Sequence, residues 1–309
     1  MPHNKVRCFG IASALLMFIA ALLIASVVAG QRVDAKLPAQ AQRHAPAPAS
    51  LRLYVLDCGK LKINDTSVYG FAPSDLTTTD MPVPCFLVAH PKGTLMWDTG
   101  VLPDRMLASG GSVTGGNPGS SAMATVTKPL KAQLAEVGYA PQDITYLALS
   151  HCHWDHTANA NDFAGATWLV RQEERDAMFT QPPAVARCLT PETFGALKNS
   201  KTVILKTDEF DVFGDAAVII KSAPGHTPGH QVLFLKLRKA GPVLLSGDLY
   251  HYPEERAQHH VPKTDFNRDQ TAASRAAIET FLKKTGAQLW IQHDLTANAK
   301  LKKAPAYYD

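Results

Sequence analysis

Residues 150–156 read Ser-His-Cys-His-Trp-Asp-His and place three imidazoles and a carboxylate (His151, His153, Asp155, His156) in one short stretch. The stretch follows the apolar run 144–149, so a buried strand delivers it. Two histidines at i and i+2 on a loop leaving a strand reach one metal ion. The aspartate and histidine that follow then point to a second ion beside it. Imidazole with carboxylate is ligand chemistry for zinc or a similar first-row divalent ion. A loop whose histidines merely form hydrogen bonds would explain one histidine, not three beside a carboxylate. The rest of the chain must therefore bring further ligands to the same place.

Three later stretches meet that need at expected strand ends. Pro224-Gly225-His226-Thr227-Pro228-Gly229-His230 is a turn-rich loop between two strands, Ser246-Gly247-Asp248 ends one apolar run, and Gln292-His293-Asp294 ends another. A loop histidine joins His151 and His153 on one ion. Asp155, His156 and His293 serve the other, and Asp248 bridges both. Asp98, in the tight turn Asp98-Thr99-Gly100, fits two roles equally: orienting a ligand histidine from behind, or forming the turn.

Lys5 and Arg7 precede an uncharged, largely apolar run at 8–30, followed by the small-residue sites Val28-Ala29-Gly30 and Val33-Asp34-Ala35. This reads as a cleaved export signal over 1–35, with an uncleaved membrane anchor as the rival reading. The chain is then periplasmic or secreted, and touches a membrane only if the leader is retained. Without the leader the net charge falls from +4 to +2, and there is no basic block suited to nucleic acid. Residues 36–50, rich in Ala, Pro and Gln, are expected to form a disordered spacer, with one folded domain occupying 51–309. Of the cysteines beyond the leader, Cys58 and Cys85 flank early strands and form the favoured disulfide pair; Cys152 is expected to be a small buried filler turned away from the metal.

Along the chain, strands are expected at 51–57, 85–90, 94–98, 144–149, 167–170, 203–205, 218–221, 231–237, 243–246 and 289–292. Helices are expected at 129–137, 172–179 and 271–284, the last with Ala273, Ala277, Phe281 and Leu282 inward and Gly286 as its stop. Residues 59–84 read as a long loop of the lid or binding type, 109–121 as a Gly/Ser-rich surface loop, and 181–199 as irregular. Two runs of strands with interspersed helices imply a layered α/β domain.

The succession His-x-His-x-Asp-His, Pro-Gly-His, Gly-Asp and a late His resembles the metallo-β-lactamase superfamily, and most closely its N-acyl-homoserine lactonase branch. The stretches that carry the likeness are 138–170, 223–248 and 291–294, with 96–100 in support. The resemblance implies an αββα sandwich with a binuclear metal site, two Zn2+, at the sheet edge. It makes His226 the ligand and His230 a supporting neighbour, so the metal set becomes His151, His153, His226, Asp155, His156, Asp248 and His293. It implies hydrolysis of a lactone by a metal-bound hydroxide that Asp248 and Asp155 help to place, with a homodimer as a further expectation. Where those lactonases carry a tyrosine that contacts the substrate carbonyl, this chain has His251, beside Tyr250. Either is a candidate donor to the substrate, and Trp154 falls where the family often lines its pocket. Aryl-ester or phosphotriester hydrolysis on the same scaffold, a periplasmic zinc β-lactamase, and a metal-holding protein without chemistry are the alternatives.

Overall fold

The computed structural model describes residues 47–107, 113–115, 122–180, 188 and 190–309. The expected leader (1–35), most of the spacer (36–46), and much of the loops expected at 109–121 and 181–199 lie outside the described residues. Among the described residues no helix is long and apolar enough to cross a membrane.

Strands β1 (Arg52–Ile63), β2 (Asp80–His90), β3 (Gly93–Trp97), β4 (Val113–Gly115), β5 (Ala122–Val126), β6 (Tyr146–Ala148), β7 (Thr167–Val170) and β8 (Thr202–Ile204) form one sheet in the order β4-β5-β1-β2-β3-β6-β7-β8. A second sheet has the order β13-β12-β11-β10-β9, from β9 (Glu209–Asp211), β10 (Val218–Ser222), β11 (Gln231–Leu237), β12 (Gly241–Leu245) and β13 (Gln288–Trp290). The C-terminal β14 (Tyr307–Tyr308) pairs with β1.

Strand alternation assigns each side chain to a layer. From β1, Leu53 and Val55 join Phe86, Val88, Leu95 and Trp97 against Val218, Ile220, Leu233, Leu235, Val243 and Leu245 of the second sheet. That is the core between the sheets. The opposite residues, Tyr54, Leu56, Leu87 and Met96, pack with Leu130 and Leu134 of helix α1 (Leu130–Glu136) and with Phe163, Met178 and Phe194. On the far side, Val232, Phe234 and Leu244 pack against Ile278 and Leu282. Those two belong to the long helix 268–285. The result is an αββα sandwich.

Several expectations change. The loop at 59–84 is shorter than expected, because β1 continues to Ile63 and β2 begins at Asp80. A register shift between Asp57 and Lys60 lets the strand continue, and Gly59 holds it at φ +122, where a Cβ would strike Val101 and the Thr125 carbonyl. Pro82 and Pro84 are accommodated because β3 pairs only with 86–90, which leaves the other edge of β2 open at the prolines. Part of the loop expected at 109–121 is strand, with β4 paired to β5. Part of 181–199 is helical, over Pro191–Phe194 and Gly195–Asn199.

The helix 268–285 keeps Leu282 buried and Phe281 against the core as expected, but its earlier turns face differently. Thr271, Ser274, Arg275, Ile278 and Leu282 point inward, while Ala273 and Ala277 are exposed. Polar bonds outweigh apolar periodicity here: Arg275 reaches the Leu249 carbonyl at 2.7 Å and Glu255 at 2.6 Å, and Ser274 reaches the Pro224 carbonyl at 2.7 Å.

Cys58 and Cys85 are joined across β1 and β2, with Cα atoms 5.7 Å apart. Cys152 is no free filler, since it is bonded to Cys188. The Cys58–Cys85 bridge closes 27 residues of chain. The double variant Cys58→Ala/Cys85→Ala is expected to lose about 2–4 kcal/mol, read by calorimetry as a lower Tm than wild type with the Cys152–Cys188 bridge kept oxidised in both.

Candidate metal centre

Strand ends at one edge of the sandwich supply the site. β3 and β6 run parallel, so Asp98 and the loop that begins at Ser150 emerge together. From the second sheet, His226 and His230 lie in the β10–β11 turn. Asp248 follows β12, and His293 follows the parallel β13. Asp155 and His156 sit on a single helical turn, Trp154–Thr157.

Two buried groups result. His151, His153, His226 and Asp248 bring one ligand atom each within 4.8 Å of one another, and so do Asp155, His156, Asp248 and His293. Asp248 spans both. Its Oδ2 lies 3.5 Å from His151 Nε2 and 3.4 Å from His226 Nε2. Its Oδ1 lies 3.2 Å from His156 Nε2 and 3.0 Å from His293 Nε2. Asp155 Oδ2 stands 3.5 Å from His293 Nε2.

The outer nitrogens are fixed from behind. His156 Nδ1 meets Asp98 at 2.9 Å, His226 Nδ1 meets Asp265 at 2.9 Å, His293 Nδ1 meets the Pro82 carbonyl at 2.8 Å, and His151 Nδ1 meets Ser150 Oγ at 3.0 Å. Such partners set the tautomer and aim Nε2 inward. Asp98 does both things expected of it, forming the turn at φ +58 and holding His156. It also accepts from the Ser150 backbone at 2.6 Å and from Gln292 Nε2 at 2.8 Å. The open edge of β2 is used as well, since the Pro82 and Pro84 carbonyls accept from His293 and Gln292.

His230 supports the bridge rather than joining either group. Its Nε2 accepts from the Asp248 backbone N–H at 3.0 Å, while Nδ1 faces the Ala223 carbonyl. Gly247 makes this approach possible at φ +49, since a Cβ there would lie 2.7 Å from Ser150 Cβ and 2.8 Å from His230 Nε2.

The ligand set fits a pair of divalent cations. His151 Nε2, His156 Nε2 and Asp248 Oδ1 are buried without a hydrogen-bond partner among the described residues, an arrangement that costs stability unless a cation takes their lone pairs. Burial and then His156 push His151 well below the ordinary imidazole range. Burial would raise the Asp248 carboxyl, yet His156 and His293 hold it well below the carboxylate range. Burial opposes charge on His156, but Asp248, Asp155 and Asp98 raise it all the same. A carboxylate held anionic and buried among imidazoles is a setting that a divalent cation fits.

Tyr250 does not reach the centre. Its hydroxyl donates to Glu279 at 3.2 Å and its ring lies under the Arg275 guanidinium, because extended backbone sends neighbouring side chains to opposite sides. His251 does reach it, with Nε2 3.3 Å from Asp248 Oδ2 and Nδ1 3.0 Å from Glu255. Burial alone would lower His251, but Glu255 and Asp248 hold it up at about 10. Trp154 is half-buried and packs on the core between the first sheet and its helices.

Sequence reading missed Ser150, Glu174, Glu255, Asp265 and Gln292. Ser150 and Gln292 adjoin ligands in the chain, which was the available signal. Glu174 is fully buried and accepts from the Cys152 N–H at 2.7 Å, the Thr227 hydroxyl at 2.8 Å and the Gly229 N–H at 2.8 Å. One carboxylate thus ties the His151/His153 loop to the His226 loop. Nothing in the local sequence marks it. Asp265→Ala is expected to weaken binding of one metal by about 10–100-fold, measured by zinc competition with a chromophoric chelator, because it leaves His226 Nδ1 buried and unsupported.

The profile of the metallo-beta-lactamase superfamily matches residues 78–293. The chain is 30% identical over 261 residues to the N-acyl homoserine lactonase AttM of Azorhizobium caulinodans, covering 84% of this chain and 99% of that protein. It is 28% identical over 259 residues to an N-acyl homoserine lactonase of a Bacillus species, covering 83% and 98%. Among solved structures, an N-acyl homoserine lactone hydrolase with the product N-hexanoyl-L-homoserine at its catalytic metal centre superposes with a TM-score of 0.67 at 25% identity, covering 83% and 98%. The dizinc quorum-quenching lactonase AidC shares the fold, with a TM-score of 0.59 at 20% identity and coverage of 84% and 94%.

Proposed function

The chain belongs to the metallo-beta-lactamase superfamily, and from that premise we propose that it is a zinc-dependent hydrolase that opens the ring of N-acyl homoserine lactones. One observation carries the reading. Two buried ligand groups share Asp248, in a chain that matches lactonases over 84% of its own length. His151, His153 and His226 with Asp248 would hold one ion, and Asp155, His156 and His293 with Asp248 the other. The imidazole-and-carboxylate set favours zinc. When bound, two such ions supply a water acidified towards neutral pH and Lewis-acid polarisation of the scissile carbonyl.

The chain's own residues do the positioning. Asp248 keeps one oxygen on each side of the centre, and His230 fixes its backbone. His251 is clamped by Glu255 through Nδ1, which holds its Nε2 within the centre, 3.3 Å from Asp248, as a fixed polar group facing the substrate space. Such preorganised polar groups stabilise charge that develops on a substrate oxygen. Ring opening leaves an N-acyl homoserine, the compound class seen at the metal centre of the similar structure.

Proton release on N-hexanoyl homoserine lactone tests the reading. Activity is expected with zinc, loss with a chelator, and recovery on adding zinc back. Asp248→Ala is expected to fall at least ~100-fold, beyond the usual cost of losing an outer partner. Turnover only of an aryl ester, a phosphotriester or a cephalosporin would keep the centre and reject the lactone.

Export is part of the same proposal. The charged, then apolar leader supports it, and so do two disulfides, which persist in oxidising compartments. Intact mass of the periplasmic or secreted protein is expected to place the mature N-terminus just after Gly30 or Ala35; an uncleaved chain in the membrane fraction would point to an anchor instead.

A further inference from the structure

The segment between β1 and β2 brings a phenol to the metal centre. A single 3-10 turn, Thr66–Tyr69, starts at Asp65, whose Oδ1 accepts from the Ser67 N–H at 3.0 Å. It ends at Gly70 in the left-handed region at φ +84. The turn is tied down on two sides. Thr66 Oγ1 donates to the Phe71 carbonyl at 2.8 Å, and Thr264 Oγ1 donates to the Val68 carbonyl at 3.1 Å. Phe71 adds ring contacts with Tyr252 and His260.

The Tyr69 ring is thereby held 4.7 Å from the His251 imidazole and edge-on to Tyr252 at 5.5 Å. His251 is the residue that abuts Asp248 Oδ2. Three other donors around this corner are already committed: Tyr250 to Glu279, Tyr252 to the Thr79 carbonyl at 3.3 Å, and His251 Nδ1 to Glu255. The Tyr69 hydroxyl makes no hydrogen bond to any described residue. Burial, then the Asp155 carboxylate, Tyr252 and Asp248, raise its pKa well above the usual phenol range.

We propose that Tyr69 is a substrate-contacting catalytic residue whose O–H donates a hydrogen bond to the carbonyl oxygen of the bound lactone. The inference rests on the lactonase reading above. It assigns to the 66–69 turn a role that Tyr250 is too far round the backbone to fill.

Tyr69→Phe keeps the ring against His251 and Tyr252 and removes only the oxygen; Tyr69→Ala removes both. Each zinc-loaded full chain would be assayed on N-hexanoyl homoserine lactone and titrated calorimetrically with the ring-opened N-hexanoyl homoserine. The expected result for Tyr69→Phe is two zinc ions per chain and an unchanged Tm, a kcat about 100-fold lower, KM within a few-fold, and product affinity reduced about 10-fold. A Tyr69→Phe protein matching wild type in kcat and product affinity would overturn the proposal, and loss of activity only in Tyr69→Ala would assign the residue to packing. Loss of zinc from Tyr69→Phe would also overturn it, since the phenol would then be building the ligand set. If the wild type opens no lactone, the lactonase reading fails by itself. The phenol is then judged on hydrolysis of an aryl ester, where an unchanged Tyr69→Phe rejects it and a ~100-fold loss supports it.

Discussion

The Asp248 carboxylate is buried among five imidazoles: His151, His226 and His251 approach one oxygen, and His156 and His293 the other. A carboxylate taken out of water needs compensating charge or donors at close range, and here no single element could provide them. The histidines come from both sheets, so the edge of the sandwich closes only when both sheets are in place. Much of the surrounding architecture serves this one group. Gly247 lets the turn approach Ser150, and His230 accepts from the Asp248 backbone.

Behind the ligands lies a shell of carboxylates and carbonyls, each facing one imidazole. Asp98 and Asp265 are buried and would be costly alone, but each is satisfied by several donors. Asp265, for instance, accepts from His226 and from the Thr271 hydroxyl, which holds its carboxyl down at about 2. Glu174 makes the same exchange at longer range by accepting from two ligand loops at once. Rigidity in this shell fixes the distance between the two ligand groups, and on that distance the shared chemistry depends.

The fold and the metal ligands were legible because their signals are local. Strand periodicity gave β7 and β11 to the residue, and helix 172–179 likewise. Dense His/Asp spacing marked 151–156, since few other roles require it. The misreadings share a cause. The stretch 80–84, with Pro82 and Pro84, read as loop because an unpaired strand edge is invisible without the neighbouring strand. The inward face of helix 268–285 followed polar partners, Glu255 and the Leu249 carbonyl, that periodicity cannot register. Cys152 met Cys188 because the fold brings Cα atoms 36 positions apart in sequence to 5.2 Å.

By itself, the sequence determined that the chain carries a binuclear ligand set on an α/β scaffold, because ligand identity and strand-end position are properties of residues and their immediate neighbours. Tertiary structure alone decided which phenol borders the centre, Tyr69 rather than Tyr250, and which carboxylates stand behind the histidines. Those are matters of side-chain direction and of contacts between distant segments. Backbone alternation turned Tyr250 towards Glu279, while a capped turn between β1 and β2 carried Tyr69 to His251.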